Sequence, residues 1–460
     1  MADIKLPDVL SDHMVLQQKS SVKLWGLASP GESIGVKPEW SKDIRTTVAD
    51  DSGRWCISVR TPKAGGPYTI RFTGKNEIVL NDVMIGEVWL CSGQSNMEFR
   101  IRSMNPTAGF FLNEIKEVSA SELANIRFCP VGRALSEKRE DTCSVSWKKA
   151  DTSQIRNFSA VAYYFGKKLY QKLKVPVGLI TSAWGGTPVQ AWISDSTVKR
   201  DSLINGWYGG KPNTSKQWPN GASVLFNAMI NPFINYRIKG VIWYQGEANV
   251  AGADRYNTLF PALIKSWRSE FGQKDMPFYY VQIAPYKYDE PETAAGYLRE
   301  AQMEAMKIRN TGMAVTLDIG NVDNLHPVNK KDVGSRLALW ALAKTYGVNV
   351  PSYSGPVFTR AVKEKKQMKL YFDYADGGLK AKDGVLQNFL LAGDDMKFCP
   401  ADAAIKGKTV VVSSGNVKDP RYVRYAFGNA DTASLFNGYG LPASSFRTDS
   451  IPFQPKQRKK

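Results

Sequence analysis

Apolar and polar positions divide the chain into three consecutive patterns. Residues 5–80 contain short apolar runs separated by turn signals such as "SPGE", "DDSG" and "KAGGP", which predict a small β-sandwich. Residues 81–348 alternate apolar strands with segments whose apolar positions recur roughly every 3.6 residues. From residue 349 to 460 the β-type pattern returns. The sequence therefore predicts an N-terminal β-sandwich-like domain over 1–80, an α/β domain over 81–348 and a C-terminal β domain over 349–460, which stands alone or packs with the first.

The middle part has the pattern of a parallel sheet. Its strands are predicted at 83–91, 177–183, 240–245, 278–284 and 313–318, and its helices at 159–173, 256–272, 298–308 and 332–347. The strands are apolar throughout, as strands covered on both faces should be. Strand–helix alternation with such strands indicates a doubly wound α/β sheet.

Composition and charge narrow the class of protein. The chain is 43% hydrophobic and 23% charged, without an apolar run long enough to span a membrane, so a globular protein with no membrane span is predicted. The net charge of +18 is spread along the chain, apart from a terminal "KQRKK". Because no nucleic-acid-binding module accompanies it, no nucleic-acid partner is predicted. A basic surface and an acidic substrate or surface are both open interpretations.

The start of the chain leaves its location open. "MADIKLPDVL" lacks the apolar core of a signal peptide. A cytoplasmic protein and a secreted one whose signal has been removed both fit.

Cysteine and histidine usage limits the chemistry. The five cysteines are widely spaced and form no C-x-x-C, so neither a disulfide framework nor a zinc site is predicted, although a Cys129–Cys143 pair is open. The chain has only two histidines, His13 and His326, which nearly excludes a multi-histidine metal site. His13 lies in the N-terminal β part without a partner motif, and we expect a structural role for it.

Polar motifs follow the predicted strands of the middle part. They contain Ser95, Gly186, Gln245, Asp323 and His326. Because ligands bind beyond the carboxyl ends of strands in open α/β sheets, we expect these residues at one edge. A serine, a histidine base and a carboxylate are the parts of acyl transfer. The backbone N–H groups of Ser95 and Gly186 and the Gln245 amide are candidate oxyanion donors.

Four of these segments resemble a known family. "GEVWLCSGQSNMEF", "SAWGGTPVQAW", "GVIWYQGEAN" and "DNLHPVNKKDVGSRLA", with "LSDHMVLQQ" near the start, are similar to the blocks of the sialate O-acetylesterase family, a branch of the SGNH hydrolases. The resemblance covers most of residues 5–350. It implies a flavodoxin-like SGNH domain with a parallel sheet, between N- and C-terminal β-sandwich-type modules.

The resemblance also implies an activity and its residues. The expected reaction is serine-esterase removal of O-acetyl groups from carbohydrates, above all from sialic acids, with no metal or cofactor, in a periplasmic or secreted protein. Ser95 would be the nucleophile, His326 the base and Asp323 the orienting acid. Ser95, Gly186 and Gln245 would supply the oxyanion donors.

The match departs from the wider superfamily at two places. The usual Gly-Asp-Ser block is Gly93-Gln94-Ser95 here, and the asparagine of the third block is Gln245. Both are usual in this branch. They leave Asn96 and Asn249 as rival side-chain donors.

Further residues are candidates for substrate binding. Arg100 and Arg102 follow the nucleophile closely and would pair with a substrate carboxylate, although a solvated surface position is the commoner role for such residues. Trp207 and Trp218 lie in 202–223, a stretch rich in Gly, Asn and Trp that is predicted to be a loop at the mouth of the site. Either ring would stack on a sugar, or pack within the loop.

Three alternatives are open at this point. The same chemistry would serve acetylated xylan or pectin. Glu247 and Asp323 would supply the two acids of a glycosidase, but Ser95 and His326 would then be unexplained. A non-catalytic glycan-binding protein would use the β modules and their aromatic residues. Glu247 is otherwise interpreted as a brace for its loop or as a substrate contact.

Overall fold

A computed structural model describes residues 3–104, 124–151, 155–210 and 219–456. The chain divides into two compact units. The first contains Met1–Trp243 and Ala262–Phe278, and the second contains Tyr244–Pro261 and Tyr279–Lys460. Among the described residues, no helix combines the length and apolarity that crossing a membrane requires.

The first unit contains most of the strands that precede residue 244. They are β1 (Val15–Gln17), β2 (Ser21–Leu27), β3 (Ser33–Pro38), β4 (Arg45–Val48), β5 (Arg54–Arg60), β6 (Gly65–Thr73), β7 (Glu77–Gly93), β8 (Ile126–Pro130), β9 (Lys148–Lys149), β10 (Val177–Ala183) and β11 (Gly240–Tyr244, whose last residue belongs to the second unit). The helices are α1 (Ser95–Glu98), α2 (Ala160–Leu173), α3 (Asp195–Arg200) and α4 (Ser202–Tyr208).

The main sheet of the first unit is mixed. Its strand order is β11-β7-β10-β8-β9. Strand β10 runs parallel to both β7 and β8, whereas β6 and β9 join antiparallel to β7 and β8. The parallel pairing predicted from the apolar strands is therefore seen for β7, β8 and β10, and the antiparallel strands β6 and β9 make the sheet a mixed one.

Strand β7 is long because different strands pair with its two halves. Its first half pairs with β6, and its second half pairs with β10 from Glu87 to Gly93. The strand therefore passes through residue 80, where the N-terminal part was predicted to end. The three-part division of the chain stays a prediction.

Strand β8 was not predicted from the sequence. Its second residue is Arg127, which interrupts the apolar run. The side chain is nevertheless 3% exposed, because its Nη2 lies 3.2 Å from both carboxylate oxygens of Asp82. The same carboxylate lies 2.7 Å from Nδ1 of His13, which gives that histidine a structural partner.

The cysteine pair that the sequence left open, Cys129 with Cys143, is not formed. All five cysteines are free thiols.

The second unit contains the remaining elements. Its strands are β12 (Phe278–Val281, whose first residue belongs to the first unit), β13 (Thr311–Ala314), β14 (Val357–Glu364), β15 (Gln367–Asp373), β16 (Leu379–Ala381), β17 (Phe389–Ala392), β18 (Cys399–Pro400), β19 (Asp402–Lys406), β20 (Thr409–Ser413), β21 (Tyr422–Tyr425), β22 (Leu435–Asn437) and β23 (Phe446–Arg447). Its helices are α5 (Ala253–Glu270, which continues into the first unit after Pro261), α6 (Ala294–Glu304) and α7 (Lys330–Trp340).

Three small antiparallel sheets account for the C-terminal β pattern. Their orders are β14-β15-β20-β19, β18-β17-β21-β23 and β16-β22. Arg447 on β23 donates from Nε to the Glu300 carboxylate of α6 at 2.9 Å. The C-terminal strands thus pack within the same unit as helix α6.

Candidate active site

Ser95 opens a short helix directly after a buried strand. Strand β7 ends at Gly93, whose φ of 141° suits glycine, and Gln94 is the extended N-cap of α1. Gln94 and Asn96 are buried, and Ser95 is half-buried. The turn therefore presents the serine at a helix start, where backbone N–H groups point along the axis and favour a negative charge.

The double glycine packs against this serine. A Cβ on Gly185 would lie 3.1 Å from the Cβ of Ser95, so a larger residue would push the serine turn aside. The next residue, Gly186, has a φ of +75°, a conformation that strains residues with a side chain. The sequence motifs around Ser95 and Gly186 thus come together within the first unit.

Glu98 fixes the double-glycine turn. Its Oε2 accepts a hydrogen bond from the Gly185 N–H at 2.9 Å, and its Oε1 accepts from Arg133 Nε at 2.8 Å. The Arg133 guanidinium also lies 5.4 Å from the ring centroid of Trp184. The sequence did not predict these contacts of Glu98. Its one sequence signal is an acidic residue in the first turn of the helix that Ser95 opens.

The second unit contains the other predicted motifs, and Gln245 is fully buried within it. The Tyr256 hydroxyl donates to its Oε1 at 2.9 Å, and its own Nε2 donates to Asn249 Oδ1 at 2.7 Å. These two bonds set the orientation of the amide. Asn249, the alternative side-chain donor considered from the sequence, accepts this hydrogen bond through its Oδ1 atom.

Glu247 is 8% exposed, which agrees with a brace more than with a surface contact. Burial, and after it the Glu247 carboxylate, raises the pKa of Tyr244 well above its usual range. The same two causes act in the same direction on Tyr288. Both phenols therefore stay neutral around this carboxylate at neutral pH.

His326 is half-buried in the loop before helix α7. Burial, and after it the positive charge of Lys330, lowers the pKa of the imidazole from its ordinary value of 6.5. The neutral form, which a general base needs, is thus favoured at neutral pH. Lys330 was not identified from the sequence, because a lysine at a helix start gives no signal of burial.

Asp323 is the least buried of the predicted catalytic residues. Its side chain is 70% exposed, and its Oδ1 lies 2.6 Å from Lys287 Nζ. Its backbone N–H donates to Asn321 Oδ1 at 3.0 Å, and that of His326 donates to Asn324 Oδ1 at 2.9 Å. The loop is therefore shaped by two successive Asx turns.

The residues predicted to contact the substrate lie in different environments. Arg100 and Arg102 are exposed, so their role stays a prediction. Trp207 lies in helix α4, and its ring centroid is 6.3 Å from that of Tyr208. Trp218 lies outside the described residues.

The loop predicted over 202–223 is wrong for its first residues. The Asp201 side chain accepts hydrogen bonds from the N–H groups of Leu203 and Ile204 at 3.1 and 3.0 Å, and it caps the start of helix α4.

Within the described residues, no group of three or more histidine, cysteine, aspartate or glutamate side chains is placed to bind a metal ion.

Known proteins similar to this chain agree on one family. The profile of a family described as carbohydrate esterase, sialic acid-specific acetylesterase, matches residues 85–342. The sialate O-acetylesterase of Homo sapiens is 32% identical over 391 residues, covering 76% of this chain and 72% of that protein. The protein of the same name from Mus musculus is 32% identical over 414 residues, covering 76% and 74%.

A solved structure covers nearly the whole chain. A carbohydrate acetylesterase from Xanthomonas citri superposes with a TM-score of 0.88 and 35% identity, over 97% of this chain and 100% of that one. The chain is therefore a carboxylic ester hydrolase that acts on O-acetyl esters of carbohydrates, and it belongs to the sialic acid-specific acetylesterase family of carbohydrate esterases.

Proposed function

We propose that this chain removes O-acetyl groups from sialic acids through an acetyl-enzyme on Ser95. The observation that carries the proposal is the serine turn itself: Ser95 opens helix α1 and packs on a glycine turn that Glu98 holds in place. The relatives named sialate O-acetylesterase support the choice of sugar.

The proposed reaction has two steps. The Ser95 hydroxyl oxygen attacks the acetyl carbonyl carbon while His326 accepts the hydroxyl proton. The bond between the acetyl carbon and the sugar oxygen then breaks, and His326 returns the proton to that oxygen. Water repeats the sequence on the acetyl-enzyme, which releases acetate and restores Ser95.

The negative charge of each tetrahedral intermediate needs aimed donors. The proposed donors are the backbone N–H groups of Ser95 and Gly186 and the side-chain amide of Gln245. The positive φ of Gly186 and the fixed amide of Gln245 support this assignment. One amide hydrogen of Gln245 is directed to Asn249, and the other is the proposed donor.

Asp323 is proposed to orient the His326 imidazole. Its place three residues before the histidine supports the role. Its exposure and its ion pair with Lys287 indicate a weaker orienting carboxylate than a buried one, since water screens it. Arg100 and Arg102 are proposed to attract the sialic acid carboxylate.

The finer architecture is part of the same proposal. The α/β part would be a flavodoxin-like SGNH domain between two β modules, which the parallel pairing of β10 with β7 and β8 supports. A periplasmic or secreted location is also proposed, and the similarity to the sialate O-acetylesterase family supports it.

Alanine variants of the nucleophile and the base test the mechanism. Ser95→Ala and His326→Ala should each lower kcat for acetate release from an O-acetylated sialic acid by roughly 10⁴-fold. His13→Ala is the matched control, because His13 is the other histidine and belongs to the Asp82 contact. Near-normal turnover in either test variant would overturn the mechanism.

Labelling and a substrate panel separate the alternatives. A fluorophosphonate probe should label Ser95 in the native chain and not in Ser95→Ala, whereas a glycan-binding protein without catalysis would stay unlabelled. Acetate release compared across O-acetylated sialic acids, xylan and pectin tests the sugar. Preference for xylan or pectin would keep the serine mechanism and reject sialic acid as the substrate.

A further inference from the structure

A cavity of about 510 Å³ in the first unit is lined in part by strands β2 and β5. Its volume falls within the range usual for small-molecule sites, roughly 300–1,000 Å³. The described residues that line it include neither Ser95 nor Gly186, so it is separate from the proposed reacting groups. They do include Trp25, Leu27, Arg54, Cys56, Asp141 and Asn235.

The register of β2 and β5 places apolar side chains on one open face of this strand pair. Trp25 lies opposite Cys56, and Leu27 lies opposite Arg54. Opposite residues of an antiparallel pair share a face, and the next residue along each strand points to the other face. On that other face Leu24 is fully buried, whereas Leu27 is 47% exposed and Trp25 is half-buried. The face with Trp25 and Leu27 is therefore an apolar wall that a ligand can reach.

The Trp25 ring is held in place at this wall. Its centroid lies 6.4 Å from that of the Tyr236 ring at an interplanar angle of 77°, an edge-to-face contact. Tyr236 is buried, and its hydroxyl donates to the Val15 carbonyl oxygen at 2.8 Å. The indole is thus positioned before a ligand arrives, so less side-chain freedom is lost when a flat ligand stacks on it.

Polar side chains complete the lining. Arg54 Nη2 lies 2.7 Å from Asp141 Oδ2, and these two side chains are 58% and 63% exposed. Asn235 Oδ1 accepts a hydrogen bond from Lys23 Nζ at 3.0 Å. An exposed ion pair contributes little to the stability of a fold, and its nitrogen and oxygen atoms stay accessible to a ligand. The cavity therefore combines an apolar wall with groups that donate and accept hydrogen bonds.

The charges among the described lining residues balance. The cations are Lys5 and Arg54, and the anions are Asp50 and Asp141. Asp50 is fixed by its own turn, since its Oδ1 accepts from the backbone N–H groups of Ser52 and Arg54 at 2.9 and 2.8 Å. An anion drawn to the two cations would also be repelled by the two carboxylates. The lining thus favours a neutral ligand.

We propose that this cavity is a second carbohydrate site, which binds a neutral sugar ring of a glycan. A pyranose has an apolar face of C–H groups, which matches the wall of Trp25 and Leu27. Its edge of neighbouring hydroxyl groups matches side chains that donate and accept, such as Arg54 and Asp141. Because the chain acts on O-acetyl esters of carbohydrates, a second site would raise the concentration of a glycan at the enzyme. The inference does not depend on the reaction proposed for Ser95.

Fluorine NMR of the chain labelled with 5-fluorotryptophan tests the site directly. The chain has twelve tryptophans, and the resonances of Trp25 and Trp40 are assigned by their loss in Trp25→Phe and Trp40→Phe. The probes are the methyl glycosides of glucose, galactose, mannose and N-acetylglucosamine. At least one of them should shift the Trp25 resonance saturably. The Trp40 resonance is the control and should stay in place, because Trp40 packs against Tyr68 at 5.4 Å and does not line the cavity.

Variants of the lining provide the second readout, with affinity measured by saturation-transfer NMR of the sugar. Trp25→Ala should weaken binding about tenfold or more, because the stacked ring is lost, and Trp40→Ala should leave the affinity unchanged. Asp141→Ala should weaken binding several-fold without moving the urea midpoint, since its ion pair is exposed. If Trp25→Ala does not fold, Leu27→Ser removes part of the same wall from an exposed position and should also weaken binding.

The outcomes separate this site from the proposed active site. A Trp25 resonance that no neutral glycoside shifts overturns the inference, and so does native affinity in folded Trp25→Ala or Leu27→Ser. Free sialic acid binding at Trp25 more tightly than every neutral glycoside would also overturn it, because the ligand would then be an anion. Trp25→Ala should release acetate from 4-methylumbelliferyl acetate at the native rate, so an inactive native chain would count against the proposed function alone.

Discussion

Among single residues, Glu98 holds the glycine turn beside Ser95, and it can be replaced without changing Ser95, the proposed nucleophile. Glu98→Ala leaves the Gly185 N–H and the Arg133 guanidinium without their acceptor. We expect kcat to fall about 10- to 100-fold, the usual effect of losing a group that orients a site residue. Steady-state kinetics on a soluble acetyl ester provide the measurement.

Glu137→Ala is the control for Glu98→Ala, because Glu137 is an exposed glutamate on a neighbouring loop of the same unit. It should leave kcat unchanged. A Glu98→Ala enzyme within about twofold of the native rate would show that the glycine turn keeps its shape without the carboxylate.

Replacing Asp323 should lower kcat less than replacing His326. Its carboxylate is exposed and paired with Lys287, so water and the lysine screen its effect on any imidazole. We expect Asp323→Asn to lower kcat about 10- to 100-fold, a smaller loss than in His326→Ala. An Asp323→Asn enzyme with the native kcat would remove Asp323 from the proposed triad.

The burial of Lys330, which is 0% exposed, predicts how stability depends on pH. The folded chain binds the Lys330 proton only up to a pKa of about 7, whereas the unfolded chain binds it up to the ordinary 10.5. Between these values the unfolded state holds more protons, so the free energy of unfolding rises with pH through this window. Below pH 7 both states are protonated, and the cost of burying the cation applies in full.

Urea unfolding at a series of pH values from 7 to 10.5 checks this slope. Across this pH window, the free energy of unfolding of the native chain and of Lys331→Met, the control at the exposed neighbouring lysine, should rise by on the order of a few kcal/mol relative to that of Lys330→Met. Parallel curves for all three chains would show that Lys330 keeps an ordinary pKa in the fold.

At the scale of elements, the turn after β11 depends on one glycine. Gly246 has a φ of +154°, and a Cβ there would lie 2.6 Å from Ile283 Cγ2. Gly246→Ala should therefore lower the free energy of unfolding by about 2 kcal/mol or more. The measurement is the urea midpoint, with the m-value as a check that the transition is unchanged.

Gly252→Ala is the matched control. Gly252 ends the short 3₁₀ helix Glu247–Gly252 that follows the turn, and a Cβ there meets no atom within 4 Å. It should be close to neutral. If Gly246→Ala were as mild as Gly252→Ala, the turn after β11 would not depend on the positive φ of Gly246.

The elements show what sequence patterns can and cannot supply. Strand β10 was predicted with its observed bounds, since all its positions are apolar or small and both faces are covered. Strand β8 was missed, because Arg127 is tolerated at its second position only through Asp82, whose place is set by tertiary packing. Local periodicity contains no information about such distant partners.

The candidate site likewise contains residues that the sequence predicted and residues that it did not. The serine, histidine and glycine positions follow predicted strand ends and belong to sequence motifs, so the sequence was enough to propose them as site residues. The brace by Glu98 and the burial of Lys330 depend on contacts between separate segments. For that reason the sequence predicted the proposed reacting groups and did not predict the contacts of Glu98 or the burial of Lys330.

At the scale of the whole molecule, the net charge of +18 should attract an acidic substrate. A sialic acid carries a carboxylate, and the exposed residues Arg100 and Arg102 lie close in the sequence to Ser95, the proposed nucleophile. A positive field raises the local concentration of an anion and its association rate, and salt screens that field. Neutral acetyl esters experience no such attraction.

The values of kcat/KM for an O-acetylated sialic acid should therefore fall several-fold as ionic strength rises from about 0.01 M to about 0.5 M. A neutral acetyl ester such as 4-methylumbelliferyl acetate should show little change, which controls for effects of salt on the enzyme itself. Arg100→Gln combined with Arg102→Gln should reduce the salt dependence for the acidic substrate alone, if these arginines contribute. Equal salt dependence for both esters would mean that the positive charge serves something other than substrate capture.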